Sequence, residues 1–166
     1  CTTVLNDKYG IVDKNGKEIV ANIFDSIDSR DSNGFHDGLL PVELDGWWGY
    51  IDINGKIVIQ CEYYEALDFD KGLACVEDVD GWGFIDTTGK LIIDCIYDTY
   101  SWFIDDIAEV THNELVGLID RTGRVIAPCK YDWIGDFNKD GIAKVGFVAD
   151  YENIDEIAPG VTSAFI

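Results

Sequence analysis

Four segments of this chain share one pattern: Lys8-Tyr9-Gly10-Ile11-Val12-Asp13, Trp48-Gly49-Tyr50-Ile51-Asp52, Trp82-Gly83-Phe84-Ile85-Asp86 and Val116-Gly117-Leu118-Ile119-Asp120. Their marker glycines, Gly10, Gly49, Gly83 and Gly117, are 39, 34 and 34 residues apart. A period of this length constrains the fold more than any other feature, because each unit is too small to bury an apolar face except against its neighbours. Arrays of this kind serve as binding scaffolds, so the pattern speaks to architecture before it speaks to chemistry.

The register extends past the marker. Three residues on stands an aspartate (Asp13, Asp52, Asp86, Asp120), and three further a second glycine (Gly16, Gly55, Gly89, Gly123) followed by Lys or Arg. Fourteen residues after the marker comes an aromatic: Phe24, Tyr63, Tyr97 and Tyr131. Phe69, Phe103 and Phe137 follow at twenty, and Phe35 takes that place in the first repeat after an insertion near Ser29 to Gly34. Asp-x-x-Gly is a turn signature, since the carboxylate accepts from amides ahead and glycine takes positive φ. The flanking runs are short, aromatic and β-branched, so each unit reads as a three-stranded meander plus an irregular arm carrying the Tyr and Phe. No window has a helical stripe with caps, and little helix is expected.

These residues resemble the bacterial WG-repeat family, whose Trp-Gly-(Tyr/Phe)-Ile-Asp-x-x-Gly-Lys motif is matched in repeats two and three. Tyr9 and Val116 replace the tryptophan in repeats one and four. The resemblance covers about residues 1 to 145 and implies a non-catalytic repeat protein. It supplies no site. The expected fold is all-β, tandem repeats of ~34 residues stacked as an open twisted solenoid, with a propeller-like closure as the alternative. The repeats run at about 5–43, 44–77, 78–111 and 112–145. Residues 1–4 read as a remnant of a preceding repeat and 146–166 as a C-terminal cap or linker, so the chain reads as a fragment of a larger bacterial protein.

Charge narrows the partners. Lys plus Arg is 12 against 32 for Asp plus Glu, a formal charge of -20. Such a surface repels phosphate backbones and anionic membranes and steers in basic partners. No apolar stretch approaches the ~20 residues of a membrane span. Cys61, Cys95 and Cys129 each fall twelve residues after a marker. Without Cys-x-x-Cys spacing or register with His36 and His112, they read as small buried hydrophobes rather than a metal site. That usage favours a reducing compartment and a cytoplasmic location. The alternative is a cell-surface lipoprotein anchored at Cys1.

No cofactor is expected. A calcium loop needs six to eight oxygens, and neither Asp52-Ile53-Asn54-Gly55 nor Asp136, Asn138 and Asp140 has the closing acid. No nucleophile motif or phosphate-cradling loop occurs, so no enzyme activity is expected. The candidate partner-binding residues are the aromatics that break the repeat. Trp102 stands where other repeats carry Gly34, Asp68 and Asp136, and Trp133 where they carry Ser26, Glu65 and Thr99. Tyr64 replaces Asp25, Asp98 and Asp132, while Trp47 and Tyr100 are also off pattern. If the polar equivalents mark an exposed side, these aromatics form a binding face, with Trp102 and Trp133 in one patch. The alternative is that they fill gaps between arms. The marker positions are assigned to structure, and the register aromatics Trp48, Trp82, Tyr63, Tyr97, Tyr131, Phe69, Phe103 and Phe137 are expected in the core. The functional expectation is a scaffold binding an unidentified protein, with carbohydrate recognition and a passive spacer as alternatives.

Overall fold

The computed structural model describes residues 2–27, 34–139, 141–147 and 162–165. The first five residues of the Ser29–Gly34 insertion, Cys1, Asp140 and most of the 146–166 tail lie outside them. Among the described residues there is no helix, and eighteen strands form five sheets. The first is β1 (Thr2–Leu5), β2 (Lys8–Val12) and β3 (Glu18–Phe24). The second adds a two-residue strand at its edge: β4 (Ser26–Ile27), β5 (Leu39–Leu44), β6 (Trp47–Asp52) and β7 (Ile57–Tyr63). The third repeats this with β8 (Glu65–Ala66), β9 (Leu73–Asp78), β10 (Gly81–Asp86) and β11 (Leu91–Tyr97). The fourth is β12 (Thr99–Tyr100), β13 (Ile107–His112), β14 (Leu115–Asp120) and β15 (Val125–Tyr131). The fifth is β16 (Trp133–Ile134), β17 (Lys144–Phe147) and β18 (Thr162–Phe165).

The protein is therefore all-β and built of tandem meanders, but the sheets are offset from the sequence repeat. The strand that closes one repeat pairs with the marker strand of the next, as in Val42↔Gly49, Val76↔Gly83 and Val110↔Gly117. β1 pairs with β2 in this same register, Thr3↔Gly10. β18 pairs with β17 likewise, so that Ala164 faces Val145 where a marker glycine would stand. The arm also differs from the expected irregular segment. Its aromatic ends the third strand, and its next residues form the short edge strand: Ser26↔Glu43, Glu65↔Glu77, Thr99↔Thr111 and Trp133↔Gly146. The physical reason is that the closing strand would otherwise present an open edge of amides and carbonyls.

The chain divides into two compact units, Cys1–Ile96 and Tyr97–Ile166. In the first, core is made between consecutive sheets. One cluster joins Val20 and Phe24 of the first sheet to Leu40, Val42 and Ile51 of the second. The next joins Tyr50, Ile59, Tyr63 and Phe69 to Ala74, Val76 and Ile85. Each fully buried Val, Leu, Ile or Phe stabilises by roughly 1.5–3 kcal/mol, and here it does so by packing one sheet against the next. The Asp-x-x-Gly turns fit this stacking. A Cβ on Gly55 would meet Val20 Cγ2 at 2.9 Å, and one on Gly89 would meet Ile59 Cγ1 at 3.3 Å. In the second unit the core is Leu118, Ala127, Tyr131 and Val145. Phe137, expected in the core by register, is 41% exposed.

Candidate functional site

The register positions are structural. A Cβ on a marker glycine would lie 2.6 Å from the Val20, Ile59 or Ile93 carbonyl oxygen at Gly10, Gly49 and Gly83, and 2.7 Å from the Cys129 nitrogen at Gly117. The cause is a bulge. Trp48 pairs with Tyr63 and Tyr50 with Ile59, so extra residues of the third strand crowd over Gly49. Cys61 stands in that bulge, and its equivalents lean over the glycine, with Cys95 Sγ and Cys129 Sγ each 2.7 Å from the would-be Cβ. Cys61 Sγ reaches 4.0 Å from the Val42 carbonyl and Cys129 Sγ 3.8 Å from that of Val110. In the first repeat Asn22 Nδ2 donates to the Thr3 carbonyl at 2.9 Å and to the Lys8 carbonyl at 3.0 Å. Thr3, Val42 and Val110 are the residues opposite their marker glycines. Cysteine and asparagine thus make the same crossing over the glycine. Burial pushes all three thiols up, with nearby Asp45 adding at Cys61 and Asp98 at Cys129. A hydrogen bond with Asp78 adds to the burial of Cys95 and takes it to about 12. These are unreactive packing thiols.

The turn aspartates cap. Asp52 Oδ1 accepts from the amides of Asn54 at 2.8 Å and Lys56 at 2.9 Å. Asp13 does so with Asn15 and Lys17, Asp86 with Thr88 and Lys90, and Asp120 with Thr122 and Arg124. Hydrogen bonding holds all four below the usual carboxylate range. The Lys17 amide contributes most at Asp13, the Lys56 amide at Asp52, and the Thr88 and Thr122 hydroxyls at Asp86 and Asp120. Asn138 acts similarly, accepting from the Ile142 amide at 3.0 Å. Among the described residues no group of three His, Cys, Asp or Glu is placed to hold a metal ion.

The off-pattern aromatics are where the repeats diverge. Trp47 lies two residues before its marker and Tyr64 fifteen after, one step beyond the Trp48↔Tyr63 pair. Their rings stack at 5.1 Å with 25° between planes, and they are 41% and 50% exposed. The same two positions in the first repeat hold Lys8 and Asp25, which form an ion pair. Asp25 Oδ2 also accepts from the Asp45 amide at 2.7 Å, which ties this position to the hairpin turn joining β5 and β6. Its partner Lys8 holds the Asp25 carboxyl low, and Asp25 holds the Lys8 ammonium high. One place in the repeat thus carries an ion pair in one copy and an exposed aromatic stack in the next.

In the second unit Tyr100 and Trp102 meet edge to face at 6.2 Å and 84°, with Trp102 exposed. Trp133, also exposed, lies over its cross-strand partner Gly146, where a Cβ would fall 2.0 Å from Nε1. Among the described residues Trp102 and Trp133 make no ring contact, so the expected single patch of these two is not formed by ring packing. Each has its own support instead. Phe103, read from the sequence only as a register aromatic, carries the Arg121 guanidinium over its ring at 4.7 Å, while Arg121 Nε donates to Asp106 Oδ1 at 2.9 Å. Arg121 stands at a position where other repeats have Lys14, Ile53 and Thr87, and nothing in the sequence marks its contact with Phe103.

No curated protein and no solved structure matches the chain. The family model for the WG containing repeat matches four times, at residues 9–46, 48–81, 82–115 and 117–146. These bounds begin at or beside the marker Trp-Gly position, the position at which each bulged strand crosses. The chain belongs to the WG containing repeat family.

Proposed function

We propose that the chain is a non-catalytic repeat scaffold that binds another protein through the aromatics that interrupt its pattern. The observation that carries this reading is the exchange of the Lys8–Asp25 ion pair for the Trp47–Tyr64 stack at one structural position. A repeat that folds with a half-buried ion pair there has no packing need for two large exposed rings. Exposed Trp and Tyr are what protein interfaces use as anchors. Trp102 with Tyr100, and Trp133, extend the same behaviour to the second unit. The carboxylates best placed for chemistry serve as turn caps and the thiols as packing, which supports a non-catalytic role. The charge of -20 favours a partner with a basic surface over nucleic acid. Thiols packed over the markers are compatible with a reducing compartment, and a cytoplasmic location is part of the proposal.

The test is retention of proteins on the immobilised chain, run beside Trp47→Lys/Tyr64→Asp and Trp102→Ala/Trp133→Ala variants. A defined protein retained by the wild type and lost from either variant is the expected result. Retention of polysaccharide instead would assign these rings to sugar stacking. A wild-type column that retains neither would leave the chain a spacer.

A further inference from the structure

Charge is distributed unevenly over the first unit. Its hairpins run between two ends. At one lie the turns that join closing strands to marker strands, Asn6-Asp7, Asp45-Gly46 and Val79-Asp80. At the other lie the Asp-x-x-Gly turns and the turns that lead into β5 and β9. Lys14, Lys17, Lys56, Lys71 and Lys90 all belong to the second end, where they balance Asp13, Asp37, Asp52, Asp70 and Asp86. The first end carries Asp25, Asp45, Glu62, Asp78 and Asp80, and among the described residues of this unit its one base is Lys8, already paired with Asp25.

The Trp47–Tyr64 stack sits at this acidic end. Trp47 follows the Asp45-Gly46 turn directly, and the Tyr64 amide donates to the Glu77 carbonyl at 2.8 Å, just before Asp78. Glu65, next in the arm, is paired in register with Glu77, so two like charges face each other across β8 and β9. The stacked rings are exposed, an electron-rich surface bordered by carboxylates. A guanidinium or ammonium is attracted to such a ring face, and the carboxylates draw it in and hold its neighbours. In the first repeat the fold supplies its own ammonium at this position, from Lys8. In the second it supplies none.

We infer that the Trp47–Tyr64 stack and the acidic turns beside it bind an arginine- or lysine-bearing segment of a partner protein, with one cationic side chain over the rings and flanking cations on Asp45, Asp78 and Asp80. This rests on the protein-binding reading above and specifies the partner's chemistry. The ring faces give side-chain recognition, and the surrounding carboxylates give a salt-sensitive on-rate.

The experiment is a titration of the full chain with the blocked peptide acetyl-(Gly-Arg)3-amide and with its citrulline counterpart, which keeps the shape and removes the charge. The Trp47 indole N–H, identified by its absence in Trp47→Phe, is followed by NMR. The expected result is a shift of that signal with the arginine peptide. Affinity should be at least fivefold weaker for citrulline and should fall several-fold as salt is raised from about 50 mM to about 500 mM, since the Debye length shrinks from ~10 Å at 0.1 M to ~3 Å at 1 M. Trp47→Lys/Tyr64→Asp, which recreates the pair that folds in the first repeat, should abolish the binding, and Asp78→Asn/Asp80→Asn should weaken it and flatten the salt dependence. Equal binding of the two peptides, no binding, or unchanged binding by Trp47→Lys/Tyr64→Asp would overturn the inference. If the peptides fail while the immobilised chain still retains a protein that the swap variant loses, the scaffold reading stands and only the cationic specificity falls.

Discussion

At each marker glycine a neighbouring strand passes at contact distance, and the obstacle there is largely backbone. Backbone cannot rotate aside, so Gly83→Ala must push the bulged strand away from β10. The expected cost is about 1–3 kcal/mol, the usual range for overpacking, read as a lower urea midpoint at unchanged slope. The residue that crosses the glycine is less constrained. Asn22 and Cys61 make the same crossing towards the opposite carbonyl. Cys61→Asn should therefore cost no more than about 1 kcal/mol in the same assay. The thiols themselves are held protonated, Cys95 most strongly. Cys61, Cys95 and Cys129 of the native protein treated with iodoacetamide at neutral pH should be alkylated far more slowly than in the urea-unfolded chain, with Cys95 the last of the three.

At the scale of the element, the turn is the unit that was easiest to read. Asp52-x-x-Gly55 confines its chemistry to five residues, so a single chain segment shows the acceptor, the amides it accepts from and the glycine that takes positive φ. A pH dependence follows. Asp13, Asp52, Asp86 and Asp120 have folded pKa values below the unfolded value of 3.8. The unfolded chain binds protons first, so these caps contribute their stability above about pH 4 and lose it as pH falls through the folded values. Replacing all four with Asn should flatten the fall in stability from pH 4 downward, measured by thermal melts across that range. The arm was harder to read. Glu65-Ala66 is two residues long and becomes a strand only because β9 leaves an edge beside it, a non-local fact. The bulge was equally hidden, since no local signal places extra residues opposite Gly49. It shifts the ladder, and with it which aromatic meets which. That is why Trp47 and Tyr64 were singled out separately, whereas the structure stacks them; Trp102 was grouped with Trp133, whereas its ring partner is Tyr100 of its own arm. Phe137 was assigned to the core on register and is exposed, because the register reports position in the repeat and not what covers that position.

For the whole molecule, repeat stacking and surplus charge act against each other. Clusters such as Val20, Phe24, Leu40, Val42 and Ile51 join one sheet to the next, so stability is built up neighbour by neighbour. A charge of -20 on 166 residues opposes compaction throughout. Added sodium chloride should raise the melting temperature steeply at low ionic strength and then level off once the Debye length falls below the spacing of surface carboxylates. A flat response would mean that the acids are already neutralised in pairs. The central claim is that the aromatics interrupting the repeat serve a partner and not the fold. The urea unfolding free energy of Trp47→Lys/Tyr64→Asp tests it most directly. Exposed residues exchanged for a pair the same fold already accepts should leave stability within about 0.5 kcal/mol of wild type, whereas a loss of more than about 2 kcal/mol would show that the stack is part of the core and contradict the account.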